Sequence, residues 1–233
     1  MNGNRVVSLK AINLDDGGAV RFAFEYILDA TELGDLLPLT GTEYVVGAES
    51  VSQTSEPHAQ PDEAKPRCVQ SCTYTFAMER RPEGENHRIP KPSQYEHYHH
   101  RQPYGLRIHV HGGEIYGETT GWLEYQVFEP TPGTKGPLWE YRRLVDAVRF
   151  PNHYPHDLTL FNWPGNDYRD VPLVDQSLDY PSATLASALQ DAKRVSLGFA
   201  YWLQTDSPNP HGDPGFANLL LRSDIMGSYD GLS

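Results

Sequence analysis

Residues 19–35 read Ala19-Val20-Arg21-Phe22-Ala23-Phe24-Glu25-Tyr26-Ile27-Leu28-Asp29-Ala30-Thr31-Glu32-Leu33-Gly34-Asp35, a strand pattern that runs into a polar turn and then a helix start. Val20, Phe22, Phe24, Tyr26 and Leu28 alternate with Ala19, Arg21, Ala23, Glu25 and Ile27. That period of two predicts a strand with one strongly buried face. Upstream, Arg5–Leu14 reads as its partner and Asp15-Asp16-Gly17-Gly18 as the turn between them, so residues 5–28 predict a β-hairpin. Downstream, Thr31 is placed to cap a short helix that Pro38 and Gly41 limit.

Beyond this segment the pattern changes. Residues 47–67 are mostly small, polar or proline and predict a long surface loop. Strand character returns at residues 72–79, 121–128 and 158–163, while 138–150 suits either a strand or a helix face. Residues 182–205 give the clearest helix: Leu185, Leu189, Ala192, Val195, Phe199 and Trp202 recur every three or four positions. Pro181 opens it and Asp206-Ser207-Pro208 closes it. Gly198 inside it implies close approach of another backbone, since glycine there costs about 1 kcal/mol relative to alanine. After Pro208 the chain reads as loop, without an obvious closing element. The fold class expected is α+β.

The 233 residues carry 19 Lys and Arg against 31 Asp and Glu, a formal charge of −12. That balance disfavours nucleic-acid backbones and anionic membranes as partners. No apolar run approaches the ~20 residues that a membrane-spanning helix needs. Residues 1–7 show no secretory leader pattern and no Asn-x-Ser/Thr sequon occurs, which together favour a cytoplasmic setting. The two cysteines, Cys68 and Cys72, would lie about 13 Å apart on one strand, too far to bond. Reduced thiols are expected.

The chemistry is less sharply written. The chain contains no Gly-x-Gly-x-x-Gly, no Gly-x-x-x-x-Gly-Lys and no Gly-x-Ser-x-Gly. Asp29-Ala30-Thr31-Glu32 nevertheless sits where a strand ends and a helix begins, a place where ligands collect in layered α/β sheets. Five histidines, His97, His99, His100, His109 and His111, raise a metal site as one reading. A solvated histidine-rich loop is the plainer one, and no metal ligand is assigned. Aromatic content of 11% raises a carbohydrate-binding or lyase-like module, with Tyr95 to His100 as a source of a Tyr/His pair. Trp122, Trp139, Trp163 and Trp202 fall mostly within core-like patterns, which weighs against sugar stacking.

Three runs decide between these readings: Leu28 to Pro38, Phe161-Asn162-Trp163-Pro164-Gly165-Asn166-Asp167-Tyr168, and Ser196 to Thr205. With Gly41 to Ser50, Asn86 to Pro92 and Leu219 to Gly227, they resemble a family of bacterial FAD-dependent oxidoreductases, some of whose members carry a xanthan lyase label. The resemblance covers most of the chain and is weakest around 97–113. It implies a Rossmann-like FAD domain, represented by residues 1–40, a β-rich substrate domain over 41–180, and a helix with a C-terminal segment over 181–233 leading back toward the FAD domain. It places Asp29, Ala30, Thr31, Glu32 and Asp35 near bound FAD, although a related fingerprint has glycine where Glu32 stands. It brings Asn162, Asn166 and Asp167 toward substrate or flavin, with Asp167 or a nearby histidine as a base. It also implies an internal portion of a longer enzyme, without the glycine-rich diphosphate turn and the C-terminal flavin segment. Such a portion is expected to bind FAD poorly alone, to act on a small organic molecule, and to work with a companion chain supplying the missing half.

Overall fold

The structure, a computed structural model, describes residues 5–31, 33–110, 121–171, 173–174, 182–228 and 231–232. Glu32, His111 and Pro181 lie outside them. The described residues form two compact units, the first running to Val69 and including Val174, the second taking up the rest from Gln70 onward.

In the first unit, β1 (Ser8–Ile12) pairs antiparallel with β2 (Ala19–Ala23) in the register Ser8↔Ala23 to Ile12↔Ala19. The hairpin expected from the alternation is present, with strands shorter than the pattern. Its buried face is not: Val20 is 44% exposed, Phe22 53% and Leu28 92%. A two-stranded ribbon has no second layer of its own to cover one face. Helix α1 (Leu36–Thr40) follows and stops at Gly41, whose φ of 68° gives the left-handed end that glycine adopts most readily. Pro38 lies inside its first turn, where the missing N–H is harmless. The expected loop at 47–67 contains a helical turn, α2 (Val51–Thr54), and is closed by bridges Ala48↔Lys65 and Ser50↔Gln60.

The second unit contains β3 (Phe76–Arg80), α3 (Tyr95–Arg101), β4 (Arg107–Val110), β5 (Gly121–Glu124), α4 (Leu138–Tyr141), β6 (Arg143–Val145), β7 (Leu158–Phe161), α5 (Ser182–Thr205), β8 (Leu219–Leu221) and α6 (Ser223–Met226). Among the described residues, β6, β7, β3 and β8 form an antiparallel sheet in that order, with Phe76 opposite Phe161 and Met78 opposite Leu221. Strands β4 and β5 form a separate pair. The ambiguous 138–150 segment resolves into both options, α4 then β6. The segment after Pro208, read as loop, contains an edge strand, β8, that pairs with β3 and is too short for periodicity to reveal. The parallel sheet implied for an FAD domain does not occur among the described strands, because all their ladders are antiparallel.

All the fully buried apolar side chains of the described core belong to this second unit. Helix α5 presents Ala188, Ala192, Val195, Phe199 and Leu203 to it, a stripe at helical spacing. Phe76, Phe161 and Phe199 meet there, with Phe76 and Phe161 stacked at 5.2 Å. Gly198 faces a ring and not the expected backbone: a Cβ would collide with the hydroxyl of Tyr104. The structure is α+β.

Candidate functional site

Two groups of the predicted residues are assembled, one in each unit. In the first, the chain leaving β2 folds back through Asp29. One carboxylate oxygen accepts the Thr31 N–H at 3.0 Å and its hydroxyl at 2.7 Å, and the other accepts the Leu36 N–H at 3.1 Å. Thr31 Oγ accepts the Asp35 N–H at 2.7 Å. Thr31 thus serves the amide of Asp35 just before α1. These hydrogen bonds, first those from Thr31, hold the Asp29 carboxyl below its usual range. Asp29, Thr31 and Asp35 are therefore brought together, with Ala30 between the first two.

Asp29 also lines a groove of about 390 Å³ with Leu9, Ile27, Leu36, Leu37 and Thr40, which pattern reading did not single out. The spacing of Leu36, Leu37 and Thr40 on one helical turn was the available signal. Groove and clasp can be tested against a flavin dinucleotide. Rings need apolar walls, sugar hydroxyls need acceptors, and a diphosphate needs free amides or cations. Leucine and isoleucine side chains supply the first, and Asp29 and Thr40 the second. The third is not supplied by the described residues: no Lys, Arg or His among them lines the groove, and the amides at the start of α1 are already taken by Asp29 and Thr31. The residues fit an uncharged part of the cofactor and do not fit its diphosphate.

In the second unit, Phe161 to Tyr168 leaves β7 and turns through a single 3-10 turn, Pro164–Asn166. Asn166 is completely buried. Its side-chain oxygen accepts the Trp163 N–H at 3.0 Å, and its amide donates to Ser196 Oγ at 3.2 Å and to the Tyr74 carbonyl at 3.5 Å. Asn166 consequently fixes the turn to α5 and to the segment entering β3. Asp167, half-buried, accepts hydroxyl hydrogen bonds from Ser71, at 3.2 Å, and from Thr73. Gln102 donates its side-chain amide to the Asp167 carbonyl at 2.6 Å. Ser71, Thr73, Gln102 and Ser196 are partners that spacing could not have found, since they lie 30 to 96 residues from the atoms they bind. Asn162 is half-buried in the same loop. Close by, burial and then the negative charge of Asp167 push the Cys72 thiol up, so it stays protonated at neutral pH. Both cysteines are free.

The histidines go elsewhere. His97, His99 and His100 lie on α3 and not on the expected loop, and His109 lies on β4. His99 stacks on Tyr104 at 5.4 Å, and His109 packs edge-on against Trp122 at 5.1 Å. Among the described residues no three His, Cys, Asp or Glu side chains come together to hold a metal. Trp139, Trp163 and Trp202 are buried as the core pattern implied, whereas Trp122 is 62% exposed. Among the described residues no helix is long and apolar enough to cross a membrane.

No curated protein and no solved structure was found to match the chain. A family model described as FAD dependent oxidoreductase matches residues 1–229, a span that takes in both assembled groups. The chain belongs to the FAD dependent oxidoreductase family.

Proposed function

We propose that this chain takes part in the oxidation of a small organic substrate by FAD, with the Asp29–Asp35 segment beside the cofactor and the Phe161–Tyr168 loop toward the substrate. The family match over residues 1–229 carries the reading. When bound, FAD supplies the redox chemistry by accepting electrons from substrate. The chain's own residues bind and orient. Asp29 receives a sugar or ribityl hydroxyl at the edge of the apolar groove. Asp167, its carboxylate oriented by Ser71 and Thr73, takes up a substrate proton at Oδ. Asn162 hydrogen-bonds substrate, and Asn166 keeps the loop in place.

A companion polypeptide completes the cofactor site in this reading. Two observations support it: no glycine-rich diphosphate turn occurs in the 233 residues, and Ile12, Val20, Phe22 and Leu39 of the first unit are exposed. Burial of such side chains favours association at roughly 25 cal/mol per Å² of apolar surface.

Equilibrium dialysis of the chain against FAD and against riboflavin tests the reading. If the diphosphate is not gripped, the two affinities agree within about tenfold, or ~1.4 kcal/mol, and Asp29→Ala weakens both. FAD bound a hundredfold or more tighter than riboflavin (~2.7 kcal/mol), or an Asp29→Ala chain that binds riboflavin normally, would overturn it.

A further inference from the structure

The second unit holds a cleft of about 710 Å³ that has no part in the flavin reading. Three segments wall it: residues 80–88 leading out of β3, Phe128 with Glu129, and residues 209–218 between α5 and β8. The first and last are tied together by backbone. Arg81 N–H donates to the Asn218 carbonyl at 3.0 Å and His87 N–H to the Ala217 carbonyl at 2.7 Å. The Asn218 side-chain amide returns a bond to the Arg81 carbonyl at 2.7 Å. The walls are therefore pre-organised, which lowers the ordering cost of binding.

Two guanidiniums line this cleft in restrained positions. Arg80 lies over the Phe128 ring, 3.9 Å from its centroid. Arg88 is tethered by its Nε–H to the Gln204 carbonyl at 3.2 Å. Among the described residues neither has a carboxylate partner, whereas Arg81, Arg143, Arg194 and Arg222 do. Glu83 lines the same cleft, likewise without a cationic partner among the described residues. The lining also carries Glu85 and Glu129. Glu85 is engaged by Arg81 and His87, and Glu129 lies 3.7 Å from His211. The cleft therefore offers two guanidiniums that lack a carboxylate partner among the described residues, beside carboxylate acceptors, and not a uniformly positive surface. Planar guanidinium forks match carboxylates two bonds at a time.

We infer that this cleft binds a small carboxylic acid that also carries hydroxyl or amino donors. Its carboxylate meets Arg80 and Arg88, and its donors meet Glu83 and Glu129. A phosphate dianion suits the cleft less well, because Glu83, Glu85 and Glu129 on its lining repel the second charge. The assignment is independent of flavin.

The test is calorimetric titration of the intact chain, at constant ionic strength, with gluconate, with L-glutamine, and with sorbitol as the polyol that lacks the carboxylate. Gluconate or L-glutamine binds saturably in the millimolar range, and the stronger of them tells hydroxyl from ammonium donors. Sorbitol binds at least about tenfold more weakly. Arg80→Ala and Arg88→Ala each weaken the acid by roughly tenfold or more. Arg88→Lys keeps the charge without the fork and gives an intermediate loss, with circular dichroism checking its fold. Equal binding of sorbitol, unchanged binding by both alanine variants, or no saturable binding of either acid overturns the proposal.

Discussion

The Asp29 carboxylate holds Thr31 twice, accepting its backbone N–H at 3.0 Å and its hydroxyl at 2.7 Å. Thr31 passes the restraint on by accepting the Asp35 N–H at 2.7 Å, and the second Asp29 oxygen takes the Leu36 N–H at 3.1 Å. One ionised side chain thereby ties Thr31 to the start of α1.

That arrangement is pH-dependent in a definite direction. The Asp29 carboxyl is held below its ordinary value by the hydrogen bonds from Thr31. A depressed folded-state pKa means that its stabilisation is complete above the unfolded value and is lost as the pH falls through the lower folded one. The protection factors of the Thr31 and Leu36 amides, measured by NMR exchange against the intrinsic rate at each pH, are therefore high near neutrality and fall on acidification. Asp29→Ala exchanges rapidly at neutral pH. Full protection in that variant would show that other groups hold the turn.

Gly198 and Tyr104 make a second testable pair. A Cβ at 198 meets the tyrosine hydroxyl, and that hydroxyl is buried with no hydrogen-bond partner among the described residues. Gly198→Ala should cost about 1–3 kcal/mol, the usual price of overpacking. Tyr104→Phe removes the colliding atom and a buried unpartnered oxygen, so alone it is neutral or stabilising. Combined with Gly198→Ala it recovers part of the loss. Urea unfolding of the four proteins reads this coupling, and simple additivity would rule the contact out.

Gln204 is completely buried on α5. Its oxygen accepts the Ile89 N–H at 2.9 Å, and its amide donates to the His87 and Leu219 carbonyls at 2.8 and 2.7 Å. Gln204→Leu leaves three backbone groups without this partner, each worth about 1–3 kcal/mol if it stays dry. We expect a loss of at least about 3 kcal/mol, read as a lowered urea midpoint with an unchanged slope. A loss under about 1 kcal/mol would mean that water replaces the side chain.

Glu79 is buried on β3 between Arg81, at 2.9 Å, and Arg222, which also pairs with Asp224 at 2.7 Å. Removing one member of a buried pair strands the other, typically at about 3–5 kcal/mol. Here the arginine side chains are about a quarter exposed, 29% for Arg81 and 26% for Arg222. Glu79→Ala should accordingly cost about 2–3 kcal/mol, and the loss should change little between low and moderate salt because the carboxylate is dry. Arg222 holds the Asp224 carboxyl down to about 2. That pair therefore persists on acidification until the pH approaches this value. A salt-sensitive Glu79→Ala effect would place the carboxylate in solvent.

The elements that were legible are those built from local rules. Alternation around Phe22 marked the hairpin, and the spacing from Ala192 to Phe199 marked α5. Helix α3 was missed because Tyr95 and Tyr98 are its buried positions while three histidines dominate its composition. Strand β8 is three residues long and pairs with β3 across well over a hundred positions, so no window contains its reason for forming. At the site, the Asp29–Thr31 clasp lies within a few residues and was within reach of pattern reading. The partners of Asp167 and Arg80 come from distant segments and were not.

Residue order alone determined the hairpin around Phe22 and the long helix α5, because each follows from neighbours within a few positions, and composition alone gave the net charge of −12. Only the tertiary structure decided that the apolar face of β2 is exposed, that Asn166 is sealed against Ser196, and that Arg80 and Arg88 line one cleft. Those outcomes depend on which distant backbones exclude water from a given side chain, and a one-dimensional pattern does not carry that information.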